Sequence, residues 1–63
     1  MEATFPNNSR VRLKRKLGTL PAGSEGVVTN TVFIATDEYC DVDFDDVPGD
    51  STILVPVGML GPA

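Results

Sequence analysis

The chain has no histidine and no tryptophan, a single cysteine, and no lysine or arginine after Lys16. Each absence removes a class of function. Without histidine the commonest general base is missing, and Cys40 has no visible neighbour to lower its thiol pKa, so nucleophilic catalysis has no starting point. One cysteine cannot close a disulfide within the chain. One thiol without imidazoles cannot complete the usual ligand set of a zinc site. No apolar run approaches the roughly 20 residues that span a bilayer. Met1-Glu2-Ala3-Thr4 has neither the basic nor the apolar stretch of a signal peptide, so a reduced, cytoplasmic location is the expectation. Sustained helical periodicity, repeats and linkers are also absent. Residues 1–63 therefore read as one all-β domain, with 1–9 as a flexible lead-in.

What is present is unevenly distributed. All five basic residues, Arg10, Arg12, Lys14, Arg15 and Lys16, lie in one short segment, while seven of the nine acids lie within residues 37–50. The net charge of −4 thus hides one basic and one acidic region. At 63 residues the chain buries only about 60% of the surface its unfolded form exposes. With disulfide and zinc excluded, a well-packed β core or self-association must supply the remaining stability.

The clearest structural signal is in residues 39–60. Cys40, Val42 and Phe44 alternate with Asp41, Asp43 and Asp45, which predicts a strand with one apolar and one acidic face. Turn formers at 47–50 and the apolar run 52–55 complete a hairpin. Upstream, Val11 and Leu13 alternate with Arg10, Arg12 and Lys14, predicting a first strand over 10–14. Residues 15–25 are too rich in glycine and proline for a helix or a central strand, and read as a long excursion. A second strand starts at 26–30. Residues 31–36 either continue it past a bulge at Asn30-Thr31 or form the arm of a wide hairpin. Pro56 should end the fourth strand or sit at an edge. Residues 57–60 suit one 3₁₀ turn, followed by a brief terminal strand or tail. Phe5 is placed to plug one end of the assembly.

Five short strands, a long β1–β2 loop and a 3₁₀ turn before the last strand are the layout of a small five-stranded SH3-like barrel. Arg10-Val11-Arg12-Leu13-Lys14, followed by Leu20-Pro21-Ala22-Gly23-Ser24-Glu25-Gly26-Val27-Val28, resembles the opening of small bacterial SH3-like barrels of unassigned function. The KOW motif of ribosomal and elongation factors and the small stromal SH3-like subunit of photosystem I have a similar layout. Ala3-Thr4-Phe5, Arg10-Val11-Arg12, Pro48-Gly49 and Pro56-Val57 with Leu60 are similar in order and spacing to type II dihydrofolate reductase, an SH3-like barrel that works as a homotetramer around a pore. That resemblance implies a pore-lining Gln-Ile-Tyr segment at Ile53, Leu54 and Val55 and a pore lysine at Leu13. The amide, hydroxyl and ammonium groups are all missing, and apolar side chains cannot replace their hydrogen bonds. The resemblance speaks for the fold and for oligomerisation, and against folate reduction.

Three surfaces remain. Asp41, Asp43 and Asp45 copy the first ligand spacing of an EF-hand, but Asp46 stands where its turn glycine belongs and Thr52 where its bidentate glutamate belongs. Alternate residues on a strand are about 6.6 Å apart, too far to wrap a cation, so a solvated acidic face is expected and no metal. Arg10, Arg12, Lys14, Arg15 and Lys16 form a basic patch without interleaved aromatics. A solvated patch is preferred over an RNA-binding, KOW-like module. With β2 between them, β1 and β3 lie about 9.5 Å apart, so the basic and acidic faces are expected not to pair. The third surface is apolar. Ile53, Leu54 and Val55, with Val32 and Phe33, offer apolar side chains on both faces of their strands. Either a core wraps them under the long loop, or they form a partner or subunit interface. The small size of the domain tips the reading to the interface. The expectation is a non-enzymatic binding or assembly module without cofactor, whose partner is a protein or a second copy of itself. The alternatives are an NADPH-dependent reductase with an altered pore and an RNA-binding module.

Overall fold

A computed structural model describes residues 3–47 and 51–63. Five antiparallel strands form one sheet: β1 (Arg10–Leu13), β2 (Glu25–Ile34), β3 (Asp37–Phe44), β4 (Ile53–Pro56) and β5 (Leu60–Pro62). They lie side by side in the order β4-β3-β2-β1-β5. A 3₁₀ turn, Val57–Met59, is the sole link between β4 and β5. The part of the predicted turn at residues 48–50 falls outside the described residues.

The period-two pattern decides which side chains go inside. Val11 and Leu13 of β1, Cys40, Val42 and Phe44 of β3, and Val55 of β4 are buried together with Leu20, Val28 and Leu60. β2 follows the same alternation until it is interrupted. Its register against β3 shifts between Val28 and Asn30, one residue ahead of the expected Asn30-Thr31. The cause lies in the lead-in. Val28 donates its N–H to the Ser9 carbonyl (2.9 Å) and accepts from the Asn8 N–H (2.7 Å). This extends the β1 side of the sheet past Arg10. Thr29 is left as the extra residue of a bulge, with its hydroxyl donating to the Asp41 carbonyl at 3.2 Å.

The lead-in is consequently not loose over its described part. The Thr4 N–H and hydroxyl both donate to the Glu38 carboxylate, at 2.7 and 2.8 Å, and Phe5 packs against the core. The long β1–β2 connection is equally tied down. Leu17 and Leu20 exchange two backbone bonds of 2.9 Å around a tight turn in which Gly18 takes a φ of 58°. That turn drives Leu20 into the core.

The sheet is open, with no pairing between β4 and β5, yet it cannot be flat. Flat, four inter-strand spacings would separate its edges by about 19 Å. The four residue steps from Pro56 to Leu60 reach at most about 14 Å even when extended. The sheet therefore curls around its core and brings its first and last strands toward each other. Both of those strands end in proline, Pro56 and Pro62, which offers no N–H for a further strand to pair with. No helix among the described residues is long and apolar enough to cross a membrane.

Candidate functional site

The charged segments are closer than their strand order suggests. The Arg10 guanidinium meets Asp45 through two hydrogen bonds, 3.1 Å to Oδ1 and 2.8 Å to Oδ2, and Glu25 Oε1 at 3.2 Å. This corrects the expectation that β2 would keep the two signs apart. β3 ends at Phe44, and Asp45 sits in the following turn, held by its N–H bond to the Glu25 carbonyl at 3.0 Å. A carboxylate at that strand end and a long guanidinium at the start of β1 meet across the end of β2. The hydrogen bonds to Arg10 hold the Asp45 carboxyl below its usual range, and those to Asp45 and Glu25 raise the Arg10 guanidinium further. Both groups are solvent-exposed.

Arg10 and Asp45 thus leave the basic patch and the acidic face. Arg12, Lys14, Arg15 and Lys16 are exposed, and among the described residues none of them makes an ion pair. On β3, Asp37 and Asp43 are exposed and Asp41 is half-buried, and among the described residues none of the three makes an ion pair. No group of metal-ligating side chains occurs among the described residues.

Val55, expected as an interface residue, is 0% exposed and belongs to the core, and Ile53 packs against that core. The reason is register. Ile53 and Val55 pair with Val42 and Cys40, so they share their inward phase. Val32 and Phe33, adjacent on β2, take opposite faces. Phe33 pairs with Glu38 in the inward phase and is 42% exposed near the hairpin tip. Of the five expected interface residues, only Leu54 and Val32 share the outer face.

That outer face holds more than the sequence suggested. Its cross-strand rows are Asn30-Asp41-Leu54, then Val32-Tyr39-Pro56, then Ile34-Asp37. Leu54 (43% exposed) and Ile34 (51%) lie at opposite corners of an apolar band that passes through Tyr39, Val32 and Pro56. Tyr39 and Pro56 join the band through the register of β3 and β4, while Ile34 was missed because the bulge at Thr29 inverts the phase of β2. Beyond it Val32 and Ile34, rather than Phe33, align with Leu54. An open groove of about 510 Å³ flanks this band between residues 36–39 and 56–58. Asp37 lines this groove, and Asp41 and Asp43 continue the acidic rim of the band along β3.

Cys40 is fully buried, and burial pushes its thiol pKa up, while the adjacent Thr31 hydroxyl opposes the rise. Thr31 Oγ1, itself buried, has no nitrogen or oxygen partner, which leaves the Cys40 sulfur as the polar group it faces across the ladder. This pairing is a contact within the core. No family model matches the chain, and no similar curated protein or solved structure was found.

Proposed function

We propose that this chain is a small SH3-like barrel acting as a non-enzymatic protein-binding and assembly module, and that it self-associates through the outer face of β2, β3 and β4. The observation that carries this reading is the apolar band from Leu54 to Ile34, left uncovered on a chain whose core is already filled by other residues. The barrel reading is supported by the strand order β4-β3-β2-β1-β5, by the 3₁₀ turn joining the two edge strands, and by the curl that this short link imposes. A reduced, cytoplasmic setting fits the single buried cysteine. Association by strand addition is disfavoured because both edge strands end in proline. A contact through the face does not need those edges.

The test is sedimentation velocity over a wide concentration range on the wild type and on Leu54→Lys and Ile34→Lys. The wild type is expected to sediment as an oligomer at high micromolar concentration, and both variants as monomers with unchanged melting temperature. A wild type that remains monomeric throughout would end the self-association reading.

A further inference from the structure

We infer that the outer face of one copy docks the basic segment Arg12 to Lys16 of a second copy, so that association runs head to tail. This rests on the reading of the face as a self-association surface and specifies what covers it. Area is the first consideration. A stable interface needs about 800 Å² from each partner, close to a fifth of the 4084 Å² that the chain exposes. Five partly exposed apolar side chains provide on the order of 400 Å². The remainder must come from what borders the band, and what borders it is Asp37, Asp41 and Asp43.

Charge then selects the partner surface. In a symmetric contact, face against face, each acidic rim would meet the other and repel it. The surface of opposite sign on the same chain is the segment carrying Arg12, Lys14, Arg15 and Lys16, which are exposed and unpaired among the described residues. Among the described residues none of these four cations pairs with the rim of its own copy: β2 intervenes, and the cation that does cross it, Arg10, closes on Asp45 and Glu25. The Lys14 stem lies along Gly61, its Cε 3.3 Å from where a Cβ would stand, and the Lys14 N–H is fixed to the Met59 carbonyl at 2.8 Å. The segment therefore leaves β1 anchored at its start, which lowers the ordering cost of docking. Because the two contacting surfaces differ, the contact is heterologous and builds rings or open chains.

A charge-swap experiment on the full chain tests this. Variant one carries Asp41→Lys and Asp43→Lys. Variant two carries Lys14→Glu, Arg15→Glu and Lys16→Glu. Each alone is expected to sediment as a monomer, and wild-type association is expected to weaken at least tenfold as salt rises. Mixing the two variants should restore assembly with one-to-one stoichiometry, since one junction is then native and the other is doubly reversed. Asp41 is half-buried, so Asp37→Lys with Asp43→Lys replaces variant one if its melting curve shows it unfolded. A mixture that stays monomeric while the wild type associates would overturn the head-to-tail contact and leave the self-association reading standing. Tighter association of variant one alone would do the same, by indicating a face-to-face dimer. A wild type that never associates would remove both.

Discussion

The guanidinium of Arg10 holds the carboxylate of Asp45 by two bonds, 3.1 and 2.8 Å long, across the end of the strand that separates them. The two are 35 positions apart in the chain. Their meeting joins the start of β1 to the turn after β3 and takes one member out of each charged region. It leaves Arg12, Lys14, Arg15 and Lys16, and Asp37 and Asp43 of β3, exposed.

This pair sets an acid dependence. Asp45 has a folded pKa below its ordinary value of 3.8, so it contributes stability above that value and loses it as pH falls through the lower, folded pKa. Asp45→Asn should therefore lower the melting temperature slightly at neutral pH, and the difference should vanish in strong acid. Thermal melts of the two proteins at both extremes test this. A gap that persists in acid would mean that the substitution acts through packing. The effect should also shrink in high salt, because both partners are exposed.

Gly26 of β2 pairs with Phe44 of β3 and is packed against its backbone. A Cβ there would lie 2.5 Å from the Asp43 carbonyl oxygen, 2.8 Å from the Phe44 Cα and 2.9 Å from a Val42 methyl. Two of these atoms are backbone and cannot rotate away. Gly26→Ala should cost about 2–3 kcal/mol in urea unfolding, at the upper end of ordinary overpacking. A cost under half that would mean that β3 can shift outward.

Leu54 and Val55 are neighbours with opposite fates. Val55→Ala removes two methyl groups from a fully buried site and should destabilise by about 2–3 kcal/mol. Leu54→Ala, at an exposed position, should change monomer stability by about 0.5 kcal/mol or less. Denaturant midpoints at low protein concentration separate the two, since any contribution of Leu54 to association disappears on dilution. Equal losses would contradict the register of β4.

The turn between β2 and β3 carries a correctable strain. Ala35 has a φ of 55°, a conformation that costs a residue with a Cβ about 1–2 kcal/mol. Glycine avoids that cost but loses about 0.5–1 kcal/mol through the entropy of its unfolded chain. Ala35→Gly should therefore raise stability by about 0.5 kcal/mol, and Ala35→Val should lower it. Thermal melts of both variants give the sign, and a loss with glycine would show that the turn holds Ala35 for some other reason.

Much of the architecture was legible from local pattern. Alternation named the inward faces of β1 and β3 correctly, and it placed Cys40 in the core rather than at a reactive surface. Turn chemistry and Pro56 located the 3₁₀ turn and the last strand. The surface was harder to read, for a reason visible at Thr29. One extra residue in a strand reverses the facing of everything beyond it. The bulge's position depended on Asn8 and Ser9 bonding to Val28, a contact between segments with no sequence signal in common. Hence Phe33 was expected on the interface where Ile34 belongs. Val55 was assigned there because an apolar run of four looks alike from both sides.

Local pattern is enough to set the strands, the inward faces of β1 and β3 and the segregation of charge, because alternation and composition act over a few residues. Packing in three dimensions sets which apolar side chains stay uncovered, that Arg10 is the cation paired among the described residues, and how the lead-in and long loop are fastened. Those outcomes depend on the curl of the sheet and the register of its strands, which place residues far apart in the chain, such as Arg10 and Asp45, within bonding distance.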